Sequence, residues 1–136
     1  MKISDILDAK GWEVATIEPE ALVLFALQEM TSRNIGALVV TTDGKHVLGV
    51  ISDRDITRAL VDHGNQLLSL PVETVMTRAV PACRPDETTW SCMTTMTQSR
   101  ERHLPVVNDG ILCGVVSIGD LVKNRIEELE TRCWAW

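Results

Sequence analysis

The sequence predicts an α+β fold built from two pseudo-symmetric β-α-β-β-α repeats, in which small sheets pack against helices. The first observation behind this prediction is a duplicated motif: Gly49–Asp55, an apolar run followed by Ser-x-x-Asp, returns as Gly114–Asp120. The second is a constant offset, which is 66 residues from Pro19 and Pro85 up to a hairpin turn and 65 residues beyond it. Because two copies are too few for a solenoid, we expect a closed two-lobed domain.

The boundary between the repeats is predicted in the middle of the chain, where residues 65–71 form the expected linker. We assign residues 1–68 to the first repeat with an N-terminal segment. Residues 69–136 are assigned to the second repeat with an extended C-terminal helix.

Each repeat is expected to begin with a short strand and an amphipathic helix. Val14–Ile17 is the first strand, which ends before Pro19, and a helix follows over residues 20–33. Apolar residues at positions i, i+3, i+4 and i+7 place one face of that helix on the core. In the first copy these residues are Val23, Ala26, Leu27 and Met30, and in the second copy they are Thr89, Cys92, Met93 and Met96.

A hairpin and a second helix complete each repeat. Ile35–Val40 is rich in β-branched residues and predicts a buried strand, and Asp43–Gly44 and Asp109–Gly110 predict the hairpin turns. Ser52 begins a helix that is expected to stop at Gly64, a residue suited to a C-cap. The matching helix of the second copy runs from 118 to about 132 and could pack on its own domain or on a second subunit. Its apolar stripe beyond the repeat consists of Val122, Ile126 and Leu129.

Composition and charge argue against several classes of partner. The net charge is −6 and no basic run occurs, which disfavours nucleic acid binding. The longest apolar run, Ala21–Leu27, is far shorter than the roughly 20 residues that span a bilayer, and no signal-peptide core follows Met1. We therefore expect a cytoplasmic protein that does not contact a membrane.

The four cysteines all lie in the second half, and they lack the spacing of a zinc site. Cys83 and Cys92 stand where the first repeat has Ile17 and Ala26. We therefore interpret both as reduced cysteines of the core and not as redox or metal-binding groups, and we predict no metal site.

The two Ser-x-x-Asp segments permit two interpretations. Ser52 and Asp55, like Ser117 and Asp120, have the spacing of a capping box at a helix start. The same geometry could hold a ligand, because free N–H groups of a helix start bind phosphate and an ionised Asp can accept both vicinal hydroxyls of a ribose. Both interpretations stay open, since a cap and a ribose clamp can be the same residues.

In this order and duplicated, the motifs resemble a tandem pair of cystathionine-β-synthase (CBS) domains, and the resemblance extends from about Ile3 to Glu130. The overall organisation is most similar to short, stand-alone bacterial proteins made of little but one CBS pair. The matching segments are Thr16–Glu20, Ile35–Val40, Gly49–Asp55, Val75–Thr77, Arg102–Val107 and Gly114–Asp120.

The resemblance implies a non-catalytic regulatory module that binds adenosine-containing ligands in the clefts between the repeats. AMP, ADP, ATP, NAD and S-adenosylmethionine are the ligands that it suggests, with no cofactor required. It also implies a homodimer, whereas the dimer orientation and the regulated protein partner stay unknown.

The residues implied at each site follow from the matching motifs. Asp55 and Asp120 would hold ribose hydroxyls, Ser52 and Ser117 would lie near ribose or phosphate, and the arginines would reach phosphate. Site 1 would comprise Thr16, Ile17, Ile35, Gly36, Ala37, Ser52, Arg54, Asp55 and Arg58. Site 2 would comprise Ala82, Cys83, Arg100, Arg102, His103, Leu104, Pro105, Ser117 and Asp120.

The two implied sites are unequal. Ala82 replaces the threonine that the family pattern places opposite Thr16, so site 2 lacks one hydroxyl. Arg102 and His103 stand where site 1 has Gly36 and Ala37. We therefore expect site 2 to favour a phosphorylated ligand, although a structural role for His103 is an equal alternative.

The motif search gives no reason to predict an enzyme. There is no P-loop, no G-x-G-x-x-G and no nucleophile elbow in the sequence. The main alternative to a sensor is a structural or dimerisation module with vestigial clefts, and an enzyme fragment is the third. The terminal Cys133–Trp136 follows no pattern that assigns it a role.

Overall fold

The computed structural model describes the backbone of residues 1–134 and the side chains of residues 1–131. The side chains of Cys133–Trp136, which the sequence left without a role, lie outside the described residues. The helices are α1 (Ile3–Lys10), α2 (Val23–Arg33), α3 (Asp53–His63), α4 (Val72–Val75), α5 (Thr89–Ser99) and α6 (Ile118–Trp134). The strands are β1 (Thr16–Ile17), β2 (Ala37–Val40), β3 (Gly49–Ser52), β4 (His103–Asn108) and β5 (Ile111–Ser117), and residues Gly64–Ser69 form a 3-10 helix. This element order confirms the predicted α+β class with two repeats of β-α-β-β-α.

The chain folds into two compact units, each of which is assembled from separate stretches. The repeat-1 unit consists of Val14–Val80 with Asp109–Leu112. The repeat-2 unit consists of Met1–Glu13, Pro81–Asn108 and the chain from Cys113 onward. The predicted contiguous division, 1–68 and 69–136, stays a prediction about the sequence repeats, whereas the compact units interleave along the chain.

A three-stranded sheet in the order β1-β2-β3 organises the repeat-1 unit. β1 lies parallel to β2, with Thr16 opposite Val39, and β2 lies antiparallel to β3, with Ala37 opposite Ser52. Because β2 and β3 contribute mostly buried residues, the sheet covers the core on the face that packs against the helices.

The core of the repeat-1 unit confirms the predicted helical stripe of α2. Its buried residues come from the sheet, from α2 to α4 and from the predicted linker: Ile17, Val23, Ala26, Met30, Leu38, Val40, Ile51, Ile56, Ala59, Leu67, Val72 and Met76. Leu67 shows that residues 65–71 are more than a linker, because the 3-10 helix inserts this side chain into the core. The run Leu67, Leu68 and Leu70 has no helical or strand period that would have marked this residue as part of the core.

The repeat-2 unit has a two-stranded sheet, β4-β5. Cys83 adds an isolated parallel bridge to Val106 in β4. The most buried apolar side chains of this unit are Ile3, Leu7, Cys83, Cys92, Met96, Leu104, Val106, Val116 and Leu121. Helix α1 therefore supplies part of this core, although it precedes the first repeat in the sequence.

Equivalent short helices flank the two units. Next to α1, Lys2 forms an antiparallel bridge to Thr88, and next to α4, Pro71 forms the same bridge to Leu22. Helix α1 thus packs on the second repeat, which follows it at a distance in the chain. Helix α4 packs on the first repeat, which precedes it. Helix α1 has eight residues and α4 has four, so the two flanks differ in length.

The hairpin turns differ from one repeat to the other. Asp109 and Gly110 both have positive φ, 52° and 79°, and connect β4 to β5 directly, which confirms the predicted tight turn. In the first repeat the connection spans residues 41–48, because the Asp43 carboxylate accepts hydrogen bonds from the backbone amides of Lys45 and His46 and organises a wider loop. The prediction of the same turn at Asp43–Gly44 was therefore too simple.

Candidate functional site

Helix α3 begins at the first Ser-x-x-Asp segment, and the two side chains form a reciprocal cap. Asp55 Oδ2 accepts hydrogen bonds from Ser52 N at 2.9 Å and from Ser52 Oγ at 3.0 Å. The Asp55 amide donates to Ser52 Oγ at 3.2 Å. This confirms the capping-box interpretation for site 1, and it fixes the carboxylate at the helix start.

The second oxygen of the Asp55 carboxylate is also engaged. Thr77 Oγ1 donates to Asp55 Oδ1 over 2.8 Å. The threonine is held in place because Thr77 and Val50 exchange two backbone hydrogen bonds of 2.9 and 3.0 Å. A neutral hydroxyl from the segment after α4 therefore touches the carboxylate that site 1 would use.

Several other predicted residues of site 1 gather around this helix start. Gly36 O accepts a hydrogen bond from Asp53 N at 3.0 Å, and Ala37 pairs with Ser52 across the sheet. Thr16 is exposed on β1, the strand that neighbours β2. These backbone contacts bring the strand end and the Ser-x-x-Asp segment together.

The remaining predicted residues of site 1 differ in their exposure. Ile17 is buried in the core, so its side chain packs inward. Ile35 lies before β2 and is 38% exposed, and its backbone N–H donates to Met30 O at the end of helix α2. Arg54 is half-buried and Arg58 is exposed, and neither forms an ion pair with a described residue.

Helix α6 begins at the second Ser-x-x-Asp segment with the same reciprocal geometry. Ser117 N donates to Asp120 Oδ2 over 2.8 Å, and Asp120 N donates to Ser117 Oγ over 3.1 Å. Ile118 N donates to Arg102 O at 2.8 Å, which matches the contact of Asp53 with Gly36 in site 1. The duplicated motif therefore builds the same backbone arrangement twice.

The electrostatics of site 2 differ from those of site 1, because a lysine forms an ion pair with the carboxylate of Asp120. Lys10 Nζ lies 2.7 Å from Asp120 Oδ2 and donates a second hydrogen bond to Val115 O at 3.0 Å. Partial burial alone would raise the pKa of Asp120. The Lys10 ammonium and the Ser117 amide outweigh it, so the pKa of Asp120 lies below its ordinary value.

The other residues predicted for site 2 differ in their exposure to solvent. Leu104 and Pro105 are buried in β4, whereas Arg100, Arg102 and Ala82 are exposed. Arg100 has a left-handed backbone with φ 58° at the C-cap of α5. His103 is half-buried at the start of β4.

Cys83 packs inward, as the core interpretation predicted. Its backbone bonds to β4, donating to Pro105 O at 2.9 Å, while its Sγ lies 2.7 Å from Cys92 Sγ. The contact with the Cys92 thiol and burial raise the pKa of Cys83, so the Cys83 thiol stays neutral. Both cysteines are buried and free, which confirms that they belong to the core.

No sequence pattern indicated Lys10 or Thr77, the two residues that contact the carboxylates from distant parts of the chain. Thr77 belongs to a segment that matched the family pattern, but nothing in that match pointed to Asp55. Lys10 carries no motif, and its separation of 110 residues from Asp120 hides the contact. Knowing that α1 and α4 are equivalent would have directed attention to both.

The described part of the repeat-2 unit contains a large groove and a smaller cavity. A groove of about 780 Å³ along α5 and α6 includes Trp90 and Met93 but none of the predicted site residues. A smaller cavity of about 310 Å³ is lined by Asp5, Lys10, Asp120 and other residues of α1 and α6. We give more weight to the smaller cavity, because it borders the Ser-x-x-Asp carboxylate.

The part of the chain that the structure describes offers neither a metal-binding cluster nor a membrane-spanning helix. No group of three or more His, Cys, Asp or Glu side chains there is arranged to hold a metal ion. Within the same residues, none of the helices combines the length and apolarity needed to cross a membrane.

The fold and the duplicated helix starts define a tandem pair of βαββα repeats, and comparison with known proteins identifies the family. The family model for the CBS domain matches twice, over residues 3–62 and 72–127. The chain therefore belongs to the CBS domain family and carries a tandem pair.

The relatives cover most of this chain. It is 34% identical to CBS domain-containing protein CBSX3, mitochondrial, from Arabidopsis thaliana, over 93% of this chain and 65% of the relative's length. It is 38% identical to the crystal structure of the CBS-domain containing protein ATU1752 from Agrobacterium tumefaciens, with a TM-score of 0.88 over 92% of this chain and 99% of that one. The chain thus spans just under two thirds of the plant protein and nearly all of the bacterial one.

A third solved structure is the CBS domain pair of protein MJ0100 in complex with 5′-methylthioadenosine and S-adenosyl-L-methionine. It has a TM-score of 0.83, with 23% identity over 94% of this chain and 98% of that chain. At this identity the likeness shows the shared fold alone.

Proposed function

We propose that this chain is a non-catalytic regulatory module that senses adenosine-containing ligands, with one ligand site at each Ser-x-x-Asp helix start. The observation that carries the proposal is the duplicated, half-buried carboxylate. Asp55 and Asp120 are each fixed by a reciprocal cap, next to a strand end and a helix N-terminus. A fixed carboxylate accepts ribose hydroxyls, and adjacent helix N–H groups favour phosphate.

The class of ligand is suggested by the family. A protein of the same fold is described in complex with 5′-methylthioadenosine and S-adenosyl-L-methionine, so adenosine derivatives are the first ligands to test. The ligands that we propose for this chain are AMP, ADP, ATP, NAD and S-adenosylmethionine. Ligand binding would act by favouring one arrangement of the protein over another, which requires a higher affinity for that arrangement.

We propose that the two sites differ in ligand preference. Arg100 and Arg102 are exposed near the start of β4, at the positions where the first repeat has Asn34 and Gly36. Guanidinium groups bind phosphate oxygens well, so site 2 favours the phosphorylated ligands. The exposed hydroxyl of Thr16 has no counterpart at Ala82, so site 1 favours hydroxyl contacts.

A second candidate function, self-association, is favoured by exposed apolar residues at equivalent positions of the two repeats. Val61 on α3 is 86% exposed and corresponds to Ile126 on α6, and Trp90 on α5 is 76% exposed and corresponds to Leu24 on α2. Large exposed apolar patches mark association surfaces. We propose a homodimer in the cytoplasm, either as the state in which the sensor works or, with empty sites, as the function itself. Sedimentation of the parent and of Val61→Asp tests the dimer.

The ligand experiment is titration calorimetry with the five adenosine derivatives on the parent, Asp55→Ala and Asp120→Ala. Each variant should lose one class of site while the other is retained. Asp62→Ala and Glu130→Ala, which remove exposed acids from α3 and α6, are the matched controls and should bind like the parent. A thermal-shift series checks folding, since a ligand at 100 times its Kd adds about 2.7 kcal/mol of stability. Binding that is unchanged in both Asp variants would reject the proposed sites, and no binding of any ligand would favour the association function.

A further inference from the structure

The contact between Lys10 and Asp120 distinguishes site 2 from site 1 in a way that the motifs do not show. The Lys10 side chain is 34% exposed and that of Asp120 is 24% exposed, so the ion pair is partly shielded from water. Its Nζ···Oδ2 distance of 2.7 Å is that of a charge-assisted hydrogen bond. The backbone carbonyl of Val115 holds the ammonium in this position.

The length of the flanking helix explains why only site 2 has this contact. Helix α1 runs for eight residues and ends with Lys10, whereas α4 runs for only four. The additional turn of α1 carries the lysine to Asp120. In site 1 the shorter flank leaves the neutral hydroxyl of Thr77 at the equivalent carboxylate, Asp55.

The two carboxylates therefore differ in which oxygen lone pairs remain for the hydroxyls of a ribose. Asp120 Oδ2 already accepts from Ser117 N and from Lys10 Nζ, while Oδ1 accepts no hydrogen bond from a described residue. A ribose that places one hydroxyl on each carboxylate oxygen requires that the ammonium move away from Oδ2, because an oxygen with two donors has no further lone pair to offer.

We propose that Lys10 competes with the ligand ribose for Asp120 and thereby sets the affinity of site 2. This inference rests on the proposed function, since it assigns the ribose to Asp120. Lys10 is a specificity-determining residue of site 2. At site 1 the side chains that compete for the Asp55 carboxylate are the neutral hydroxyls of Ser52 and Thr77. The ion pair therefore lowers the affinity of site 2 for a nucleoside relative to the same site without the ammonium.

The surroundings of Lys10 allow the ammonium to leave without becoming unpaired. The cavity of about 310 Å³ beside the ion pair is lined by Lys10 and Asp120, by the acidic residues Asp5 and Glu127, and by a second lysine, Lys123. The ammonium can turn from Asp120 towards these acids within the same cavity. When the Lys10 ammonium moves from Asp120 towards Asp5 or Glu127, it stays next to a carboxylate. The free energy cost of this movement is therefore close to that of breaking one exposed ion pair.

Adenosine is the suitable probe, because it is uncharged and any effect of salt on its binding reports on the protein. The experiment uses the full chain with Asp55→Ala, so that only site 2 is measured. Lys10→Met removes the ammonium and keeps a similar aliphatic stem, and Lys10→Arg keeps a cation. Lys45→Met removes the same charge from the exposed hairpin loop of the first repeat and is the matched control.

We expect Lys10→Met to lower the adenosine Kd about two- to fivefold, the effect of releasing a partly exposed ion pair. Lys10→Arg and Lys45→Met should keep the parent Kd. Raising the salt from about 0.01 M to about 0.1 M shortens the Debye length from about 30 Å to about 10 Å. The parent should therefore bind adenosine more tightly at the higher salt, whereas Lys10→Met should respond little.

A Lys10→Met protein with unchanged or weaker adenosine binding would overturn the competition, provided that Asp120→Ala abolishes the same binding. In that case the proposed site would stand and only the role of Lys10 would fail. If adenosine binds but Asp120→Ala leaves its affinity intact, the assignment of the ribose fails and the competition fails with it. If neither adenosine nor any nucleotide binds the parent, the proposed function itself is rejected.

Discussion

The two Ser-x-x-Asp helix starts have the same cap geometry but different partners at the carboxylate. Site 1 has a hydroxyl at 2.8 Å from Asp55, and site 2 has an ammonium at 2.7 Å from Asp120. The residues of the duplicated motif do not produce this difference, since Ser and Asp are the same in both. It comes from the flanking helices, so divergence of a repeat can occur in a segment outside the repeated motif.

The flanking helices also determine how firmly each unit is held together, and Leu7→Ala gives the largest test. Leu7 is fully buried in the repeat-2 unit, so its truncation should cost about 3 to 4 kcal/mol of unfolding free energy. Met76, at the corresponding flank of the repeat-1 unit, is slightly exposed, and Met76→Ala should cost less. Urea unfolding measures both. A larger loss for Met76→Ala would reverse the comparison.

The glycines that precede the duplicated motifs give the next effect. A Cβ at Gly49 would lie 2.6 Å from Thr77 O, a backbone atom, whereas a Cβ at Gly114 would lie 2.7 Å from Cδ1 of the Leu7 side chain. A side chain can rotate away and a backbone carbonyl cannot. We expect Gly49→Ala to cost about 2 to 3 kcal/mol and Gly114→Ala about 1 kcal/mol in the same unfolding measurement. Equal losses would show that Leu7 is as rigid as backbone.

Removing the neutral partner of Asp55 should have a smaller effect. Thr77→Val keeps the shape of the side chain and deletes the hydrogen bond to Asp55 Oδ1, which should cost about 1 kcal/mol of unfolding free energy. Thr57→Val is the control within α3, since its hydroxyl bonds only to Asp53 O of its own helix. A loss no larger than that of the control would mean that the contact with Asp55 contributes nothing measurable.

Removal of the ion pair of site 2 by Lys10→Met should have the smallest effect, a loss of about 0.5 kcal/mol of unfolding free energy. The contribution of the ion pair to the unfolding free energy should also depend on pH. The pKa of Asp120 in the folded protein lies below its ordinary value of 3.8, so the unfolded state binds more protons as the pH falls. The stabilisation is therefore complete above that ordinary value and is lost as the pH falls through the pKa of the folded state.

Lys10→Met should raise the pKa of Asp120, because partial burial then acts with less opposition. An NMR titration of the Asp120 carboxyl carbon measures the change, with Lys45→Met as the control. An unchanged Asp120 titration in Lys10→Met would show that the ion pair does not form in solution.

Local sequence patterns predicted most of the fold. The apolar spacing from Val23 to Met30 located α2, and Ser52 and Gly64 marked the two ends of α3. The boundaries were less accurate, since α2 begins three residues later than predicted and β2 begins after Ile35. Backbone hydrogen bonds of the neighbouring segments determine where α2 and β2 begin. Such hydrogen bonds leave no pattern of side chains in the sequence.

The candidate sites were predictable only as far as the motifs extend. Ser52 with Asp55 and Ser117 with Asp120 are neighbours in sequence, and their caps follow from the spacing. Lys10 reaches its carboxylate through the packing of α1 on a distant part of the chain. The burial of Leu67 has the same origin, since its neighbour Leu68 is exposed and only the tertiary fold decides which of the two enters the core.

The interleaved order of the two units also has a consequence for synthesis on the ribosome. Helix α1 is made first, but the unit that it completes needs Asp120, which follows Lys10 by 110 residues. At about 5 to 20 residues per second, Lys10 emerges roughly 5 to 20 s before Asp120 exists. The stretch Val14–Val80, which is nearly all of the repeat-1 unit, is translated within that interval. The nascent chain can therefore fold its middle section first, while its earliest residues wait for the latest ones.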